Sequence, residues 1–207
     1  MGRATNRDLW TAKLTGRPAP AGSVSRTGIQ STGWDNAAAT PGNAQPQGCI
    51  LGIDPSLRGT GLAVVRFEGS LQGLLLHSQT LKLPPRLTRP ECLAAIARTV
   101  AEVVRTHAVE IAAVEETIFV QNDRTAQILG AARGAAIAAA ALEGAAVFEY
   151  APKRIKQAVT GRGQASKEQV AKMIGGLLVD AQGLALDESD AAAVAFCHAS
   201  MAGRPTL

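Results

Sequence analysis

Hydrophobic patterning in this chain begins at Cys49. The apolar block Cys49-Ile-Leu-Gly-Ile53 is short and is closed by Asp54-Pro55-Ser56, which predicts a buried strand over 49–54 followed by a turn. A second strand is predicted over 60–67, and Glu68-Gly69-Ser70 has the composition of a hairpin turn into a third strand near 72–82. The period then lengthens. Leu93, Ile96, Ala97, Val100, Val103 and Val104 recur at helical spacing, with Thr88 placed to cap the helix and Pro90 in its first turn. A strand over 110–115, a helix over 123–142 and a strand over 145–150 follow. Pro152 opens a short helix to about 159, interrupted by Gly161-Arg162-Gly163. Ser166 and Gln169 form a capping box for a helix to about 179, and a final Ala-rich helix is predicted over 188–200. Hairpin strands followed by strand–helix alternation predict an α/β fold with a mixed sheet covered by helices.

Residues 1–47 lack this periodicity. They form a tail of small and polar residues carrying Arg3, Arg7, Lys13, Arg17 and Arg26 against Asp8 and Asp35. Such a composition buries too little apolar surface to offset chain entropy, so a disordered basic tail is expected ahead of one folded domain over 48–203. The tail lacks the apolar core of a secretory signal. Being Arg-rich and acid-poor, it leaves organelle targeting open beside a flexible basic arm. With 46% hydrophobic but only 3% aromatic residues, the core must be aliphatic and Ala-rich. A net charge of +4 is compatible with a polyanionic partner but is a weak signal by itself. Cys49, Cys92 and Cys197 are far apart and make no CxxC motif; Cys49 and Cys197, inside apolar segments, read as buried thiols, and a reducing cytoplasm is the expected compartment. No run reaches the roughly 18 consecutive apolar residues of a membrane span, and no membrane partner is expected.

Four acids stand at the ends of hydrophobic segments. Asp54 closes the first strand and Glu115 the fourth; Asp187 and Asp190 open the last helix. Each has an ordinary explanation. Asp54 suits an Asp-Pro turn, Glu115 a solvated strand end, and Asp187 with Asp190 a helix N-cap followed by an acid at the third position. Together, carboxylates from three distant stretches are what hard divalent cations require, because Mg²⁺ takes oxygen ligands and keeps part of its water shell. Glu116 would face away from Glu115 if the strand persists, since side chains alternate, and ranks below it.

Four collinear stretches resemble the RuvC family of Holliday-junction resolvases. They are Ile50-Leu-Gly-Ile-Asp-Pro-Ser-Leu-Arg-Gly-Thr-Gly61; Val114-Glu-Glu-Thr-Ile-Phe-Val-Gln-Asn122 with Leu129-Gly-Ala-Ala-Arg-Gly134; Val147-Phe-Glu-Tyr-Ala151 with Lys156-Gln-Ala-Val-Thr-Gly-Arg-Gly163 and Lys167; and Asp187-Glu-Ser-Asp-Ala-Ala-Ala-Val-Ala195 ending at His198. The resemblance implies an RNase H-like fold, with a mixed five-stranded sheet flanked by helices. It also implies an endonuclease that resolves four-way junctions by paired symmetric nicks in strands of like polarity. Asp54, Glu115, Asp187 and Asp190 would be its catalytic metal ligands, holding Mg²⁺ (with Mn²⁺ as a substitute), two ions per site. Two ions in such a cluster would support in-line hydrolysis leaving 5′-phosphate and 3′-hydroxyl ends. Lys156 and Lys167 match family positions that contact DNA near the scissile phosphate, and Arg58, Phe119, Asn122 and Arg162 join them as candidate DNA contacts. A branch-migration motor is implied as a partner. The chain departs from the pattern at Ser56, where the family usually has Gly, and at Ile118-Phe119, where it has a base-contacting aromatic.

The helix at 123–142 carries Ala126, Gly130, Gly134 and Ala138 four residues apart. Gly inside a helix costs about 1 kcal/mol relative to Ala, so close approach of another element is the expected compensation. That element is either the protein's own sheet or, as the resemblance implies, a second copy in a homodimer. Two other functions compete with the nuclease: an ATP-binding protein of the actin or sugar-kinase type, and a non-catalytic junction-binding module. The first leaves Asp187 and Asp190 unexplained, and the second leaves all four acids without a use.

Overall fold

The computed structural model describes residues 46–116 and 122–202. Its elements run β1 (Gln47–Asp54), β2 (Gly59–Glu68), β3 (Leu74–Lys82), α1 (Arg89–Thr106), β4 (Ile111–Glu115), α2 (Asp123–Leu142), β5 (Ala146–Tyr150), α3 (Pro152–Thr160), α4 (Lys167–Leu177) and α5 (Leu186–Ala202). The strands form one five-stranded sheet in the order β3-β2-β1-β4-β5. The β1/β2 and β2/β3 pairs are antiparallel, whereas β1/β4 and β4/β5 are parallel. This is the mixed sheet that the hairpin-then-alternation pattern predicts.

Side-chain alternation divides the core in two. Leu51, Ile53, Leu62, Val64, Ala112 and Val114 face α1 and α2, while Ile50, Ala63, Val65, Phe67 and Ala113 face α3, α4 and α5. The local signals hold where chemistry is explicit. Thr88 donates its backbone N–H and its hydroxyl to the Glu91 carboxylate, both at 2.7 Å. Ser166 and Gln169 close the reciprocal box at the start of α4. Gly161 ends α3 in the left-handed conformation, with φ of 74°.

Two readings of the sequence change. The last helix begins at Leu186, not 188, and the Ser189 N–H already donates to the Ala185 carbonyl. Asp187 is therefore inside the first turn and is not an N-cap; the helix dipole still favours its charge there. On α2, Ala132, Ala136, Ala139 and Ala140 are the buried stripe, whereas Gly130, Gly134 and Ala138 are exposed and Ala126 is half-buried. A Cβ added at Gly130 or Gly134 would meet nothing within 4 Å. The small-residue stripe does not exist to let α2 approach its own sheet.

The close approach lies elsewhere. A Cβ at Gly52 would stand 1.9 Å from the Ala191 carbonyl oxygen, and one at Gly61 would stand 2.0 Å from that of Asp187. Both contacts are with the backbone of α5, which cannot yield as a flexible side chain could. The bare strand surface at these two glycines brings the first turns of α5 onto β1 and β2. Gly61→Ala should accordingly cost about 3 kcal/mol, the upper range for overpacking a core. Urea unfolding checks this, and a midpoint equal to wild type would show that α5 does not need this contact.

Candidate metal centre

The positions of the four acids follow from strand register. Ile53 and Val114 are partners across the parallel β1/β4 pair and both point into the α1/α2 core. The next residues, Asp54 and Glu115, therefore turn to the opposite face, where α5 lies. Asp187 and Asp190, one turn apart on α5, are lowered onto that same end of the sheet by the contacts at Gly61 and Gly52. An Asp187 carboxylate oxygen stands 3.7 Å from the position a Cβ at Gly59 would take.

The electrostatics register the convergence. Burial pushes the Asp54 carboxyl up to about 6; the Asp190 charge adds to this, Lys167 opposes it, and Asp187 raises it further. Burial likewise pushes Glu115 up to about 7, followed by the charges of Asp54 and Asp190. The side-chain hydrogen-bond interaction between the two acids lowers the Asp54 carboxyl and raises that of Glu115. Lys167 donates from Nζ to an Asp190 carboxylate oxygen at 2.5 Å, and this hydrogen bond raises its ammonium pKa. Glu116 is engaged differently: its N–H donates to the Tyr150 carbonyl at 2.9 Å.

The β1–β2 turn is held by its own side chains. Ser56 Oγ accepts the Gly59 N–H at 2.9 Å, the buried Thr60 hydroxyl donates to the Ser56 carbonyl at 2.5 Å, and the Ser56 N–H donates back to Thr60 Oγ1 at 3.3 Å. Ser56 thus closes the turn that carries Asp54, a role that its Ser-x-x-Gly spacing hints at. Arg58 spends its guanidinium on the carbonyls of Pro84, Pro85 and Leu87, at 2.5, 3.2 and 2.9 Å, tying the turn to the start of α1. Asn122 uses its side-chain oxygen as the α2 N-cap, accepting from the N–H groups of Arg124 and Thr125. Lys156 is half-buried on α3, and Arg162 is exposed just past it. With Lys167 they belong to the elements packed on the α5 face. Phe119, with Ile118, lies outside the described residues.

As placed, no three His, Cys, Asp or Glu side chains among the described residues already form a ligand set for one ion. The donors nevertheless fit one. They are all carboxylate oxygens, the ligands hard divalent cations take; at Asp54 and Glu115 burial, and then neighbouring negative charge that a cation would relieve, raises the proton affinity.

A family model described as crossover junction endodeoxyribonuclease RuvC matches residues 50–198. The chain belongs to the RuvC family. Relatives carrying that name include one from Hyphomonas neptunium, 45% identical over 150 residues that span 72% of this chain and 89% of the relative. Another, from Geotalea uraniireducens, is 42% identical over 156 residues, 73% of this chain and 88% of the relative. Among solved structures, the Thermus thermophilus RuvC in complex with Holliday junction substrate superposes with a TM-score of 0.70 at 36% identity, covering 75% of this chain and 94% of that one. All four acids lie inside the matched span. Membership of the RuvC family makes the chain a nuclease of the crossover-junction class and implies dependence on a divalent metal. The RNase H-like sheet order and the oxygen-only donor set agree with both.

Carboxyls whose folded pKa is raised stabilise the fold fully below their ordinary values, near pH 4, and lose that contribution as pH rises through about 6 and 7. Protein stripped of metal by chelator should therefore lose on the order of 3 kcal/mol between pH 5 and 8. Asp54→Asn should flatten the slope. Urea melts across pH measure both; stability that rises over this window would contradict the crowding.

Proposed function

We propose that this chain resolves four-way DNA junctions by paired symmetric nicks in strands of like polarity, using Asp54, Glu115, Asp187 and Asp190 to hold two Mg²⁺ ions, with Mn²⁺ as a substitute. The observation that carries this reading is the convergence of acids from β1, β4 and α5 on one end of the sheet, with Asp54 feeling the charges of both helix aspartates and interacting directly with Glu115. When bound, the ions would supply activation of water and stabilisation of the leaving 3′-oxygen, which gives 5′-phosphate and 3′-hydroxyl products.

The protein's own part is positioning. Asp54 interacts with Asp187, Asp190 and Glu115 and would hold both ions; Glu115 and Asp187 would each hold one, and Asp190 would complete the second. Lys167, paired with Asp190, stands where it could pass to a phosphate oxygen. Lys156 on α3 and Arg162 just past it supply further positive charge for the DNA backbone, and Phe119 is assigned to the junction with them. Arg58 and Asn122, already bonded to backbone, would serve the junction by ordering the β1–β2 turn and the start of α2. Binding of branched DNA is supported by the Thermus relative, whose structure is described as holding a Holliday junction.

We also assign the exposed Gly130, Gly134 and Ala138 stripe of α2, with Ala126, to a homodimer interface. Leu142, at the end of the same helix, is 86% exposed, so apolar surface is available to be covered. A two-fold dimer would set two identical sites against the two-fold symmetry of the junction. A branch-migration motor as partner and a cytoplasmic location complete the proposal.

Two experiments test it. With Mg²⁺, the wild-type protein should cut a synthetic four-way junction in symmetric pairs and leave linear duplex intact. Asp54→Asn should reduce cutting at least about 100-fold, the scale of losing a main electrostatic contributor, and still retard the junction in a gel. Normal nicking by that variant would remove Asp54 from the centre. Gly134→Arg should halve the mass measured by light scattering and uncouple the paired nicks; an unchanged mass would exclude the α2 stripe from the interface.

A further inference from the structure

The Ala-rich surface of α5 raises a mechanical question. Ala191, Ala192, Ala193, Ala195 and Ala199 are all buried. Such a surface packs closely but has shallow ridges and grooves, and side-chain ridges are what fix how one element is rotated and staggered on another. Contact at Gly52 and Gly61 sets the height of α5 above the sheet and leaves its rotation weakly specified. Yet rotation determines where Asp187 and Asp190 point.

A directional contact stands further along the same helix. The Tyr150 hydroxyl at the end of β5 and the Nδ1 of His198 are 2.8 Å apart. His198 is 4% exposed and follows Asp190 on α5 at twice the i, i+4 spacing, so the two share a stripe. The Phe148 ring lies 4.7 Å from the imidazole between centroids, and the Tyr150 ring meets it edge-on at 5.8 Å. At the other end of the bond, Tyr150 is the sheet partner of Glu115, and its carbonyl accepts the Glu116 N–H.

We propose that the Tyr150–His198 hydrogen bond is a positioning brace for the metal centre, fixing the rotation of α5, and so of Asp187 and Asp190, against the strand end that carries Glu115. Neither residue touches the reacting atoms. Burial lowers the His198 imidazole to about 4 and raises the tyrosine above its ordinary value, so both stay neutral at working pH and the bond joins two uncharged groups. A neutral bond suits a brace, because it does not loosen as neighbouring carboxylates titrate. The His198 side chain is too far along α5 to be read as part of the acid cluster from sequence, and Tyr150 precedes it by 48 positions.

The inference rests on the metal-centre reading, and a double variant separates positioning from folding. Tyr150→Phe with His198→Leu removes both polar partners together, which avoids a stranded buried acceptor and should leave the unfolding midpoint near wild type. The pair should weaken Mn²⁺ binding, titrated calorimetrically on metal-free protein, by about 10-fold. It should lower kcat on a four-way junction by a similar factor, with KM unchanged. His198→Asn, whose side-chain amide can still hydrogen-bond the Tyr150 hydroxyl, should retain most of both. A double variant with wild-type Mn²⁺ affinity overturns the brace, as does equal loss in His198→Asn. If wild-type protein binds Mn²⁺ yet leaves junctions uncut, the nuclease proposal falls while the metal titrations still decide the brace.

Discussion

The contact of α5 with bare glycine backbone on β1 and β2 is the constraint from which the site is built. At Gly52 and Gly61 no Cβ separates the strand from the helix carbonyls of Ala191 and Asp187, so the helix that carries two acids rests directly on the strands that carry and flank a third. Any side chain there would lift the helix, and Asp54 would lose its neighbours. The small residues of α5 are the other half of this fit: Ala191 to Ala195 are buried with nothing larger than a valine among them. Close packing is being used to place charge.

That placement works against stability. Asp54 and Glu115 hold their protons more tightly than ordinary carboxylates because burial and like charge both disfavour ionisation. Lys167 offsets part of this through Asp190, and it comes from the start of α4, anchored by the Ser166–Gln169 box. The arrangement is what a cation-binding centre needs before a cation arrives: oxygen donors gathered at an energetic cost that metal would return. RuvC family membership and the charge pattern point the same way from independent grounds.

Several polar side chains serve the scaffold in ways their sequence positions did not announce. Arg58 reads as a basic residue beside an acidic turn, yet its guanidinium binds three backbone carbonyls of the loop before α1. Asn122, a candidate DNA contact by its place in the chain, spends its side-chain oxygen on capping α2. Ser56, a departure from the family pattern, supplies an Oγ that closes the turn. Long-range partners such as the carbonyls of Pro84 and Leu87 become neighbours only after the hairpin has formed, so composition and spacing carry no trace of them.

By itself the sequence determined the alternation of strands and helices, because hydrophobic period and capping chemistry act over a few residues. The Thr88–Glu91 and Ser166–Gln169 starts, the 123–142 helix and the order of elements are all local in this sense. It also placed four acids at segment ends; the β1/β4 pairing of the folded sheet then turns Asp54 and Glu115 to one face. Only the tertiary structure decided that Asp187 lies inside its helix and not at the cap, that the α2 glycines face outward, and that Tyr150 meets His198. Those outcomes depend on how elements pack against one another, and packing is fixed by surfaces that are distant in the chain and adjacent only in the folded protein.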